Sequence, residues 1–189
     1  ATNLVTGDAN GTTDVFLHDM AGGTTTRISV SSAGTEGNGV SNAPAISGDG
    51  RYVAFESRAT NLVTGDTLAK RDIFVHDCQT GLTTRVSVAS SGAQADLLSG
   101  EWPSTFSADG RYVAFDSVAG NLVADDTNLV RDAFVHDRQT GQTTRVSLGS
   151  GGVQGNGNAE QVSISADAGH VAYSSWADNL LTGDTNGTR

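Results

Sequence analysis

The six residues Asp14-Val15-Phe16-Leu17-His18-Asp19 come back twice, as Asp72 to Asp77 (DIFVHD) and as Asp132 to Asp137 (DAFVHD). The spacings are 58 residues (14 to 72) and 60 residues (72 to 132), and the flanking sequence repeats in the same register. Repetition on this scale limits a chain to stacked or radially arranged units that bury their faces against one another. Ala1 to Asp8 (ATNLVTGD) recurs in recognisable form at 59–66, 119–126 and 177–184. The chain therefore reads as one domain of units 1–58, 59–118 and 119–176, with the start of a fourth at 177–189.

Each unit reads as four antiparallel strands. Arg51 to Ser57 sets Val53 and Phe55 on one side against Ala54 and Glu56 on the other, the period of a strand. Asp49-Gly50 and Asp109-Gly110 supply a tight turn from a short preceding strand at 44–47 and 104–107. The third unit has Asp167-Ala168-Gly169 instead, which predicts a different turn. The Asp14–Asp19 stretch is the third strand. Its last Asp caps a turn whose Gly (Gly23, Gly81 or Gly141) takes positive φ. β-Branched residues at 25–30, 83–88 and 143–148 make the fourth strand.

Four strands in about 60 residues, repeated in tandem, point to an all-β fold, a β-propeller of four-stranded blades. The run Ser107-Ala108-Asp109-Gly110-Arg111-Tyr112-Val113-Ala114-Phe115, the strand 132–137 and the Thr140-Gly141 turn resemble the TolB-like propeller repeat over nearly the whole chain. In that family blades usually begin at the Ser-x-Asp-Gly strand. Two blades are then whole, 42–88 and 101–148, and a third is split between 162–176 and 14–30. Two copies could close a six-bladed ring as a homodimer, or the chain could be a piece of a longer tandem. The duplicated connector, 1–13 and 177–189, favours the piece, and an open stack is the third arrangement. The resemblance implies binding platforms, scaffolds or enzyme gates alike.

Charge narrows the partners. With 21 acidic and 11 basic residues the net charge is −10, which excludes a nucleic-acid partner because phosphates require a basic face. No apolar run approaches the roughly 18 residues of a membrane span, and no leader is visible. One Lys and abundant Thr, Ser, Gly and Asn suggest a secreted or periplasmic bacterial protein, and the single Cys78 allows no internal disulfide.

The connector before the third strand is the candidate metal site. Asp8, Asn10 and Asp14 in Asp-x-Asn-Gly-x-x-Asp offer oxygens at spaced positions around a bend, as Ca²⁺ requires. The pattern decays through Asp126, Asn128 and Asp132 (Leu129 in place of Gly), Asp66 and Asp72 (no Asn), and Asp184 with Asn186. The competing reading is an Asx turn that satisfies local backbone. His18, His76 and His136 repeat, so they are expected to bond a neighbouring group rather than to catalyse; Arg27, Arg85 and Arg145 are expected to tie strands through carboxylates. The loops Gly34-x-Glu36-x-Asn38, Gly92-x-Gln94-x-Asp96 and Gly152-x-Gln154-x-Asn156 could each take a ligand copy or bond internally. Residues that break the repeat are the ligand candidates: Glu101, Trp102 and Trp176, with Leu97, Leu98 and His170 beside them. No nucleophile elbow, zinc-protease or phosphate-loop motif occurs. The expectation is a non-enzymatic module binding a protein or glycan, with a portion of a larger secreted hydrolase or lyase as the alternative.

Overall fold

The structure is a computed structural model and describes residues 4–184. Twelve strands follow in order: β1 (Phe16–Asp19), β2 (Thr24–Arg27), β3 (Ser41–Ile46), β4 (Tyr52–Ser57), β5 (Asp72–Asp77), β6 (Thr83–Arg85), β7 (Thr105–Phe106), β8 (Tyr112–Ser117), β9 (Asp132–Asp137), β10 (Gln142–Arg145), β11 (Ala159–Ile164) and β12 (Val171–Ser175). They form two four-stranded antiparallel sheets, β3-β4-β5-β6 and β7-β8-β9-β10, and two two-stranded sheets, β1-β2 and β11-β12. The two whole blades lie where the repeat predicts. The two half-blades do not pair with each other, so one chain forms an open row: half, whole, whole, half.

The period-two pattern has a double use. Strand β5 is buried along its whole length because both of its faces meet another sheet. Val53, Phe55 and Phe74 pack toward the β1-β2 sheet with Val15 and Ile28, while Ala54, Ile73 and Val75 pack toward the next blade with Val113, Phe115 and Phe134. Large side chains on one face thus meet mostly smaller ones on its neighbour, which lets the sheets approach closely. Each blade also stacks its two phenylalanines, Phe55 on Phe74 and Phe115 on Phe134, with centroids 5.9 Å apart in both.

The turns follow the sequence with one correction. Asp49 Oδ1 accepts from the Ser47 hydroxyl (2.5 Å) and the Arg51 N–H (3.0 Å), and Gly50 sits at φ 74°. The third unit makes the same turn, not a different one. Asp167 Oδ1 accepts from Ser165 (2.5 Å) and Gly169 N–H (3.0 Å), and Ala168 takes the left-handed conformation at φ 58°. The Asp side chain decides this turn, and alanine tolerates at some cost what glycine does freely.

The repeated histidines are structural, as expected. His76 and His136 are buried, and their Nδ1 atoms lie 2.9 Å from Thr83 and Thr143 Oγ1. Thr83 Oγ1 donates its own proton to the Val30 carbonyl at 2.6 Å. It must therefore accept from His76, which makes the imidazole a donor here rather than a base. Burial lowers the pKa of both histidines.

Candidate binding face

Strands β4 and β8 end, and β5 and β9 begin, on one face of the row. The connectors between them, and the loops from each outer strand to the next inner strand, gather there. The described candidate residues therefore share this connector face, except His170 at the β11–β12 turn on the opposite face, although they do not share one site.

An arginine stands beside each pair of connector aspartates. Arg85 Nη1 stands 3.4 Å from Asp66 and 3.9 Å from Asp72; Arg145 Nη1 stands 3.3 Å from Asp126 and 3.8 Å from Asp132. Arg27 Nη1 lies 3.7 Å from Asp8 and 3.9 Å from Asp14, and also contacts Glu36. Asn10 works as an Asx turn: its amide donates to Asp14 Oδ2 (3.0 Å) and the Gly37 carbonyl (2.9 Å), and its Oδ1 accepts from Thr12 N–H (2.8 Å). Asn128 repeats all three bonds with Asp132, Gly155 and Val130. Gln94 donates to both Asp66 (3.1 Å) and Asp72 (3.0 Å), and Ser87 donates to Asp72 at 2.6 Å. Burial raises the pKa of Asp72 and of Asp126, the latter also pushed up by Asp132. Glu36 replaces the glutamine in the first unit only, so Asp8, Asp14 and Glu36 form a three-carboxylate group with oxygens within 4.8 Å of one another. Sequence reasoning placed Glu36 in a repeated polar loop rather than among the metal candidates, and its contrast with Gln94 and Gln154 was the available signal. Asp184 is half-buried, and Asn186 lies outside the described residues.

The left-handed bend at Gly11 (φ 66°) is kept where glycine is lost, at Ala69 (φ 35°) and Leu129 (φ 59°). Leu129 is 93% exposed, so no packing repays that conformation.

The repeated polar loops bond internally. Asn38 and the Thr60–Asn61 pair exchange four hydrogen bonds of 2.8 to 3.0 Å, counting the Asn61 amide on the Glu36 carbonyl. Asn121 and Asn179 repeat the clasp on loops 94–96 and 154–156. A rim hollow of about 650 Å³ lies between Ser31–Ala33, Asn61–Thr64 and Leu82–Thr83, with smaller equivalents at the next two units.

Glu101 and Trp102 belong to an insertion. Ser41 and Ser99 both face the last residue of their second strands (Ser57, Ser117), and Ile46 and Phe106 both face a valine (Val53, Val113). The path is five steps in one blade (41 to 46) and seven in the next (99 to 106), so the second whole blade carries two extra residues at the start of its inner strand. Their backbone N–H groups both donate to Asp116, at 3.1 Å each. Glu101 then spans two blades, with Arg71 Nη2 at 3.0 Å and Arg131 Nη2 at 3.7 Å from its Oε2. Arg131 also contacts Asp116, and Arg71 contacts Glu56 at 3.4 Å; burial raises the Glu56 pKa. The Trp102 indole N–H is buried with no acceptor among the described residues. Trp176 is 53% exposed and is reached through Arg131: the Arg131 N–H bonds the Asn158 side chain at 3.0 Å, and the Asn158 carbonyl accepts from Trp176 N–H at 2.9 Å. Glu101 and Trp102 thus sit together on Asp116, and Arg131 joins this corner to the backbone of Trp176 through Asn158.

No family model matches the sequence, and no curated protein matches it. Among solved structures, the chain is similar to TolB from Acinetobacter baumannii, with a TM-score of 0.50 and 19% identity over 85% of this chain and 31% of that one. It is similar also to the tricorn protease, with a TM-score of 0.54 and 16% identity over 85% of this chain and 13% of that one. The chain spans about a third of the TolB it matches and a smaller share of the protease. No helix among the described residues is long and apolar enough to cross a membrane. The likeness is one of fold, and it identifies these sheets as blades of a β-propeller.

Proposed function

We propose that this chain is a non-enzymatic binding module that presents its connector face to a protein partner with a basic surface. The observation that carries this reading is the insertion Glu101-Trp102, which breaks the repeat and sets a half-exposed carboxylate across two blades. The same connector face carries Trp176, Leu129 and Leu97, exposed side chains of the kinds that anchor interfaces. Most of the excess negative charge also lies on the connector face, which favours a cationic partner. An exported location belongs to the same reading and rests on composition. Calcium at the rim belongs to the same reading, and the Asp8, Asp14 and Glu36 group, beside Arg27, is the cluster that best suits it. A second reading, favoured by the 13% of the tricorn protease that the chain spans, is a portion of a larger secreted hydrolase or lyase with catalytic residues elsewhere.

A displayed-peptide library and an oligosaccharide array test the first reading. Enrichment of basic peptides, weakened by salt and by Trp176→Ala, is expected. Binding to oligosaccharides alone makes the ligand a glycan, and binding unchanged in Trp176→Ala and Glu101→Gln overturns the site.

A further inference from the structure

Arg138 is a half-buried cation without a counter-ion. Among the described arginines, all but Arg58 and Arg138 stand within 4.0 Å of a carboxylate. Arg58 is exposed, so water solvates it; Arg138 is half-buried, and its Nε is enclosed with no hydrogen-bond partner. Arg138 also breaks the repeat, because Met20 and Cys78 hold the same position in the other two turns. Enclosing a guanidinium costs free energy unless an anion joins it, and burial lowers the Arg138 pKa.

The residue lies in the β9–β10 turn, on the face opposite the connectors, where the second whole blade meets the first. Its guanidinium carbon stands 4.0 Å from the centroid of the Tyr52 ring of the first blade, and its Nη1 donates to the Gly110 carbonyl at 2.6 Å. Gly110 permits this approach, since a Cβ there would come within 2.3 Å of Tyr52 Cδ2. A hollow of about 320 Å³ opens beside them, lined by Tyr52, Asp109, Gly110, Arg111, Arg138 and Gln139. Arg111 adds no uncancelled charge, because it is spent on Asp137 through two bonds of 2.9 and 2.6 Å. Asp109 is the one carboxylate of the lining. Its Oδ1 accepts from the Ser107 hydroxyl (2.6 Å) and the Arg111 N–H (3.0 Å), and these bonds lower its pKa and keep it charged.

We propose that this inter-blade hollow binds a single carboxylate group, of a small free acid or of a partner's acidic side chain, with Arg138 as its counter-ion. A guanidinium is planar and offers paired N–H groups along an edge, which matches a carboxylate. The Tyr52 ring and the Gly110 carbonyl hold it in place before the ligand arrives, so little ordering is left for binding to oppose. Asp109 in the same wall repels a second negative charge, which selects one carboxylate over a dianion. The site lies away from Glu101 and Trp176 and takes the opposite charge, so it stands or falls apart from the connector-face reading.

Propionate titrated into the wild-type chain, followed by NMR at the Arg138 Nε–H and the Tyr52 ring protons, is the first test. A saturable shift is expected that sodium chloride at equal ionic strength does not reproduce, and its absence overturns the site. Succinate and inorganic phosphate are expected to bind more weakly than propionate; tighter binding of either overturns the assignment to a single carboxylate. Asp109→Asn keeps an oxygen for Ser107 and is expected to tighten propionate binding, and weaker binding contradicts the selectivity. Arg138→Met installs the residue of the first unit's turn. It is expected to abolish the shift at Tyr52 while melting no lower than wild type, since it removes an unpaired cation. A shift that survives in this variant overturns the proposal. A peptide with one central glutamate and blocked termini separates the two sources: tighter binding than propionate assigns the site to a partner's side chain, and weaker binding to a free acid.

Discussion

Arg51 closes on Asp77 with two parallel hydrogen bonds, Nε to Oδ1 at 3.0 Å and Nη2 to Oδ2 at 2.7 Å, and Arg111 repeats the pair on Asp137 at 2.9 and 2.6 Å. The arginine opens the second strand and the aspartate ends the third, so each pair locks two turns on the face opposite the connectors. The guanidinium holds each aspartate well below the usual carboxylate range, with help from the N–H of Gln79 or Gln139. A carboxylate with a depressed folded pKa stabilises the fold above its unfolded pKa of about 4, and this is lost as pH falls through the folded value. Asp77→Asn is therefore expected to lower Tm at neutral pH by roughly 2–4 °C, since the pair is partly solvent-screened. Melts taken at falling pH should show the gap from wild type closing below about pH 4. A gap that widens in acid contradicts the assignment.

Ala168 and Leu129 hold left-handed backbone without being glycine. Ala168→Gly is expected to stabilise the chain by about 0.5–1 kcal/mol, the relief of strain less the added freedom of the unfolded chain. Denaturant melts read the gain directly, and Gly50→Ala should move the midpoint the other way.

Leu129→Gly should stabilise by a similar amount, because a side chain 93% exposed gives up no packing. If Leu129 is a contact for a partner, the same variant binds more weakly while melting higher. Equal or tighter peptide binding by the stabilised variant removes Leu129 from the interface.

Thr83 Oγ1 accepts from His76 and donates to the Val30 carbonyl of the preceding unit. Thr83→Val strands a buried donor and a carbonyl together, at a cost of about 2–3 kcal/mol. Thr25→Val, at the exposed His18, should cost less than about 0.5 kcal/mol. Equal losses at the two sites in urea unfolding would show that the inter-unit bond is not what matters.

Arg27 lies among Asp8, Asp14 and Glu36. Wild-type Tm is expected to be indifferent to millimolar calcium and to chelator, whereas Arg27→Gln, which leaves three carboxylates without their cation, should melt lower and be raised by calcium. A wild-type Tm that falls in chelator would make calcium the resident cation instead.

Strands, turns and blade boundaries were legible because each rests on local chemistry repeated every 58 to 60 residues. Alternation in Tyr52–Ser57, the aspartate that caps each turn and the glycines at positive φ all act over a few residues, so the chain order alone determines them. The structural role of the histidines and the repeat-breaking status of Glu101 and Trp102 were equally visible. Only the tertiary structure decided what those residues meet. Asp66 and Asp72 are separated from Arg85 by a strand and a turn, and Glu101 reaches Arg71 and Arg131 across thirty residues in each direction (71 to 101 to 131). Ala168 shows the same division: the sequence change predicts another turn, but the Asp167 and Ser165 side chains hold the old one. That the β1-β2 and β11-β12 sheets do not pair with each other was likewise undecided by pattern, because a strand's hydrogen-bonding edge is satisfied by whatever chain lies beside it.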